Sequence, residues 1–386
     1  MQRSERTNMT EVLKSNQGTN LSAGRRGIHD GSLWRFGLSC ALTLSAALSF
    51  TAVAHGAAAR NPISTPGAAW AFDGFRVNIP ADDGWYSLAK ESRYADLGKE
   101  SADGLKFAAI VDARNVDAPV NAEQELLDLV RQEQATPQDP AAMKLLEYKA
   151  EPYAPKGVLC SRFAVKFDDR RKSFPAPGIL LVRGTACVRP DQPDVVVILS
   201  YAQRGPVGEW VPETEKSAQG FVDSLRFLPS NPKVIEQAGL IVRGDTPHDA
   251  VALLTPAAEE GDVEAAVFLG NLYLYGRKMD PDYEAARKWL EIAAKDGRAD
   301  AMYNLGAMYD KAVGMPRDVA TAIKWFTLAA DQRDAQAQLN IALLYLGGDG
   351  VPKDIATAEL WLKRAAGNGN QRAEGILTHG KYKETQ

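Results

Sequence analysis

Along the second half of the chain, apolar positions recur at helical spacing inside a longer period of 36 residues. Trp289, Trp325 and Trp361 mark that period, and Tyr273, Tyr309 and Tyr345 keep step with them. So do Ala286, Ala322 and Ala358, and the pairs Ala293-Ala294, Ala329-Ala330 and Ala365-Ala366. A fixed period of this length marks a solenoid, in which each unit buries its apolar face only by stacking on the next. In the first whole unit, about Asp262 to Gly297, Ala265, Leu269, Gly270 and Tyr273 form one stripe of a helix. Gly276 and Pro281 interrupt it, and Ala286, Trp289, Ala293 and Ala294 trace a second helix closed by Gly297. Gly270, Gly306 and Ala342 leave room for a neighbouring helix. The pattern predicts three helical hairpins, at about 262–297, 298–333 and 334–369. Ala250, Leu253, Ala257-Ala258 and Gly261 supply half of another before them, and residues 371–380 cap the stack.

The stretch 61–229 lacks this period and is long enough for a domain of its own. Residues 70–79 read as a strand ended by Pro80, 105–112 and 143–153 as strands, and 195–201 as a central strand. Helices are predicted over 121–133, with Asn121 as N-cap, and over 213–225 after Pro212. Two further strands, 158–167 and 179–188, alternate with a period of two. Pairing Asp168 with Ile179 sets Cys160 directly opposite Cys187. The same register sets Phe163 across from Gly184, Val165 from Val182 and Phe167 from Leu180 on the other face, giving an apolar core face and a polar, cysteine-bearing face. A disulfide between Cys160 and Cys187 is therefore expected, contributing roughly 3–4 kcal/mol and requiring an oxidising compartment. Strands with one helix midway and one at the end make an α+β layer. Residues 230–245 read as a linker.

Segments such as Ala301–Tyr309 (AMYNLGAMY), Gly350–Asp354 (GVPKD) and Ala358–Ala366 (AELWLKRAA) resemble the Sel-1-like repeat family, relatives of tetratricopeptide repeats. The resemblance covers residues 246–370. It implies a right-handed α-solenoid, a role in assembling or regulating protein complexes, and no catalytic residues. Some secreted members staple each repeat with a disulfide, but this array has no cysteine. By analogy with tetratricopeptide arrays, the first helix of each hairpin lines an inner groove. The residues expected there are Glu264, Val267, Asn271 and Tyr275, then Asp300, Tyr303 and Lys311, then Gln336, Leu339 and Leu343. The alternative is that several of them only pack against the adjacent hairpin. The element order of the middle domain loosely resembles PsbP-like domains, extrinsic proteins without an enzymatic motif, which favours binding over catalysis.

Residues 36–54 are 19 uncharged positions preceded by Arg25, Arg26 and Arg35 and followed by small residues. That layout is a secretory signal with cleavage near Ala54–Ala57; an uncleaved membrane anchor is the alternative. Of 45 Lys and Arg and 49 Asp and Glu, residues 1–57 hold six basic and three acidic, leaving a mature net charge of 39 − 46 = −7. No basic stripe suggests nucleic acid. After the leader only His248 and His379 remain, and no zinc-type spacing, phosphate loop or nucleophile elbow is visible. Ser87-Leu88-Ala89-Lys90 matches S-x-x-K without its companion motifs and reads as a short surface helix. Asp168–Lys172 reads as a solvated hairpin tip.

The expected molecule is thus an α+β domain followed by an all-α solenoid: leader 1–57, domain 61–229, linker 230–245, repeats 246–380. Its expected role is a non-enzymatic periplasmic scaffold in a Gram-negative bacterium, binding a protein or peptide without cofactor, metal or nucleic acid. A cell-envelope enzyme or cell-wall-binding protein with its site in the α+β domain is the alternative, as is an inner-membrane-anchored protein facing the periplasm.

Overall fold

The computed structural model describes residues 61–379 apart from positions 92, 102–104, 138, 154–156, 172–175, 207, 230, 245 and 277–278; the export segment lies outside the described residues. Among the described residues eleven strands come first, with two helices among them. They are β1 (Asn61–Pro62), β2 (Ala69–Phe72), β3 (Phe75–Asn78), β4 (Tyr86–Lys90), β5 (Tyr94–Glu100), β6 (Lys106–Asn115), α1 (Glu123–Ala135), β7 (Met143–Tyr153), β8 (Cys160–Asp169), β9 (Gly178–Arg189), β10 (Gln192–Gly205), α2 (Pro212–Val222) and β11 (Arg226–Phe227). Eight of the strands form one antiparallel sheet ordered β1-β4-β5-β6-β10-β9-β8-β7, and β11-β3-β2 form a small second sheet. The span expected as one strand, 70–79, is therefore the hairpin β2–β3, because Gly74 takes a φ of +76° and turns the chain. Asn121 does not cap α1. The cap is Ala122, and the Glu125 carboxylate accepts the N–H groups of both residues.

The β8–β9 register pairs Cys160 with Cys187, Phe163 with Gly184, Val165 with Val182 and Phe167 with Leu180. The two cysteines are joined by a disulfide. Contrary to expectation, the cysteine-bearing face is not polar. Cys160 and Cys187 are buried with Trp70, Phe75, Trp85, Tyr201 and Phe221, under the small sheet and α2. Phe163, Val165, Phe167, Leu180 and Val182 form a separate core with Leu126 and Val130 of α1. Both faces of the sheet are thus covered, as in a three-layer stack.

The remaining helices are α3 (Pro232–Arg243), α4 (Pro247–Glu259), α5 (Val263–Tyr275), α6 (Tyr283–Lys295), α7 (Ala299–Asp310), α8 (Val319–Asp331), α9 (Ala335–Gly347), α10 (Ile355–Gly367) and α11 (Gln371–His379). The expected linker is mostly α3, which pairs with α4 as a whole hairpin. Asn231 accepts the N–H of Val234 and Pro232 begins the helix, so this segment has the start signals of one. In the whole repeats the hairpins close as expected. A Cβ on Gly270 would lie 2.7 Å from Leu290, and one on Gly306 2.6 Å from the Phe326 ring.

Candidate functional site

The capping residues set the geometry of the array. Asp282, Asp318 and Asp354 cap the second helices, each accepting the N–H three residues on. Asp262, Asp334 and Asn370 do the same for first helices, but Arg298 stands where the second repeat would have its cap. A left-handed corner precedes each of these positions, at Gly261, Gly297, Arg333 and Gly369, so Arg333 occupies a glycine-type conformation with φ +67°.

These departures from the period face the sheet domain. Arg333 donates to the Ser87 carbonyl at 3.1 Å, and Arg364 to that of Pro62 at 3.3 Å. The Asp331 carboxylate accepts from the Ser64 N–H at 2.8 Å and the Thr65 hydroxyl at 2.6 Å. Burial pushes its pKa up against those two bonds. Asn61 donates to the Ala330 carbonyl at 3.0 Å. Gly297 accepts from the Ala71 N–H at 3.1 Å, and a Cβ there would lie 2.7 Å from the Ala69 oxygen. The array side chains that make these bonds, Asp331, Arg333 and Arg364, stand where the other repeats carry different residues, whereas Gly297 and Ala330 keep the period and contribute backbone carbonyls.

Along the inner row, the expected groove residues divide. Val267 (5 % exposed) and Leu339 (0 %) are core residues, because their helices turn them toward the stacked neighbours. Glu264 is exposed, and Asn271, Tyr275, Asp300, Tyr303, Gln336 and Leu343 are half-buried. Tyr303 stands 5.8 Å from the Phe326 ring and Leu343 packs on the core. Lys311 is exposed at the cap after α7, with its ammonium 2.7 Å from Asp310. Adjacent repeats are tied together here. Asn304 donates to Asn271 at 2.7 Å and accepts from the Tyr275 hydroxyl at 3.3 Å, and Asn370 donates to Gln336 at 3.3 Å.

Where this row meets the sheet domain lies a cleft of about 450 Å³, lined among others by Phe72, Gly74, Leu228, Ile235, Glu264 and Arg298. Arg298 is ion-paired with Glu264 and, at 2.7 Å, with Asp300. Burial opposes its charge, but the two carboxylates outweigh burial and raise its pKa. Across the seam Lys90 donates to the Ala71 carbonyl at 3.1 Å and sits 4.5 Å over Phe72. Burial, with Arg298 nearby, lowers its pKa to about 8.

The other candidate chemistry is structural. Ser87 and Lys90 lie in strand β4, not a surface helix, with Ser87 fully buried and its hydroxyl turned to the Ala89 carbonyl. Asp169, expected on a solvated tip, is buried and bonded at 2.8 Å to Arg171 and 2.9 Å to Arg204. Burial would raise its pKa, but those bonds hold it below the usual carboxylate value. Burial pushes Asp96 up to about 7 and raises Asp112 despite its pairing with Arg114. Both are buried side chains of β5 and β6, and neither lines the cleft. Among the described residues no group of three or more His, Cys, Asp or Glu is placed to hold a metal ion, and no helix is long and apolar enough to cross a membrane.

The family model of the Sel1 repeat matches residues 263–297, 299–334 and 335–370. Residues 263–370 are three Sel1 repeats. The half unit read at 246–262 lies outside the matched span. Among solved structures, a Sel1 repeat protein from Oxalobacter formigenes is 28 % identical, with 38 % of this chain and 62 % of that one covered and a TM-score of 0.35. The c5321 protective antigen of uropathogenic Escherichia coli, which displays an SLR fold, is 27 % identical over 39 % of this chain and 34 % of its own, with a TM-score of 0.35. A sel1 repeat protein of Klebsiella pneumoniae is 20 % identical over 44 % and 84 %, with a TM-score of 0.29. The match therefore spans less than two-thirds of the first two chains. No curated protein matches this chain.

Proposed function

We propose that the protein acts by binding, with the inner row of the Sel1 repeats taking a protein or peptide partner in the periplasm, and with no reaction of its own. The observation that carries this reading is the row itself. Glu264, Asn271, Tyr275, Asp300, Tyr303 and Gln336 remain accessible to solvent, and bonds between repeats hold several of them in place before any partner arrives. Preorganised side chains lose less entropy on association. The sheet domain supports the same reading by fixing one end of the row as a wall, beside the cleft at Glu264 and Arg298.

Crosslinking capture of the tagged protein from its own cells tests this, beside a strain carrying Asn271→Ala, Tyr303→Ala and Gln336→Ala. A discrete partner that disappears from the triple variant, while its circular dichroism is unchanged, is the expected result. A partner indifferent to those three positions sinks the groove reading. Export is tested by the intact mass of the mature chain: a new N-terminus near Ala54–Ala57 and a mass two hydrogens below the fully reduced form are expected. Retention of residues 36–54 would instead make it an anchored protein.

A further inference from the structure

β7 ends the strand order of the large sheet, and among the described residues no strand pairs with its free edge. The unpaired N–H and C=O groups of such an edge are a template for another strand. Leu145 and Leu146, at a bulge in β7, are 37 % and 48 % exposed. The Glu147 and Lys149 side chains are 50 % and 78 % exposed and pair with each other at 2.6 Å, an exposed contact that pairing across the edge would exchange for one with the second copy. Tyr148 and Ala150 lie on the face packed with α1, opposite Val165 and Phe163 of β8. By alternation, Glu147 and Lys149 lie on the other face.

Symmetry selects what fits this edge. Two identical antiparallel strands meeting edge to edge are related by a twofold axis perpendicular to the sheet, so one residue faces its own copy. An axis at Glu147 opposes two carboxylates, and one at Lys149 opposes two ammonium groups. An axis at Ala150 puts Pro152, which has no N–H, inside the ladder. An axis at Tyr148 sets Glu147 against the partner's Lys149, and Lys149 against the partner's Glu147. On the other face it sets Leu146 against the partner's Ala150 and brings the two Tyr148 rings together. Asp128 and Arg131 of α1, the charged groups acting on Tyr148, are one acid and one base.

We propose that the chain forms a twofold dimer through β7, paired antiparallel about Tyr148. The bulge and Pro152 confine the ladder to Leu146–Ala150, so the interface is small and the dimer dissociates readily. The strands of the large sheet that bond to the array, β1 and β4, lie at the end opposite β7, so pairing through β7 leaves the inner row of the repeats free.

Sedimentation velocity over the accessible concentration range tests the proposal, with Glu147→Lys, Lys149→Glu and the double exchange. The wild type is expected to pass from monomer to dimer. Each single variant, which opposes like charges twice, should lose the dimer, and the double exchange should restore it. Mixing the two single variants, one carrying a fluorophore, should give a heterodimer, since one edge is then basic and the other acidic. Both side chains are exposed, so unchanged melting separates loss of pairing from loss of folding. A wild type that stays monomeric throughout overturns the proposal. So does a dimer unaffected by Lys149→Glu, or single variants that fail to associate when mixed.

Discussion

Val197, in the middle of the large sheet, pairs with Ala113 on one side and Cys187 on the other, while Gly306 in the array lies against Phe326 of its own hairpin. The sheet domain gathers its core from strands far apart in the chain. The array builds its core one hairpin at a time, so its stability is close to a sum over repeats and their interfaces. A residue's surroundings are therefore local in the array and collective in the sheet, and substitutions should travel differently in the two.

Phe326→Ala should have the largest effect. The ring is fully buried against Gly306, and its removal should cost about 3–5 kcal/mol. Hydrogen exchange should show α7, α8 and α9 losing protection while β6, β9 and β10 keep theirs. Equal loss in the sheet would mean that the two regions unfold as one unit. Removing the disulfide by Cys160→Ser and Cys187→Ser is the reverse test. For a sequence separation of 27, loop entropy assigns it about 3.5 kcal/mol. Urea unfolding should lose that amount in the sheet transition alone.

Asp96 sharpens the contrast through pH. Its folded pKa is raised by burial to about 7 from an ordinary 3.8. Between these values the unfolded chain releases a proton that the folded chain keeps, so stability falls as pH rises from 4 toward 7 and then levels. Asp96→Asn should flatten that slope and stabilise the sheet domain by about 2 kcal/mol at pH 8, with little change at pH 3. A slope of the same size in the variant would assign the dependence to another group. Arg333→Gly should have the smallest net effect. It relieves a left-handed residue worth about 1 kcal/mol and removes the bond to Ser87. The array should become slightly more stable while β4 amides exchange faster, as measured by the same hydrogen-exchange experiment.

Much of the candidate site was legible because the repeat period is a local code. Glu264, Asp300 and Gln336 occupy one phase; Glu264 is exposed and the other two are partly accessible. The same phase argument failed for Val267 and Leu339. They share a phase with Tyr303, but what covers a residue at that phase is the neighbouring hairpin, whose packing the period does not specify. Residues 230–245 were read as linker because α3 keeps the capping signals of a helix but not the spacing of the repeat.

The sequence by itself determined the 36-residue unit and its two helices, and the β8–β9 register that brings Cys160 to Cys187, because each depends on contacts within a few tens of residues. Tertiary structure alone decided that the cysteine face is a second core, that Asp331, Arg333 and Arg364 bond to the sheet domain, and that Arg298 lines the cleft beside it. The physical reason is separation along the chain. Asn61 meets Ala330 across 269 positions of chain, and a pattern that describes nearest neighbours carries no record of a surface presented from the other end of the molecule.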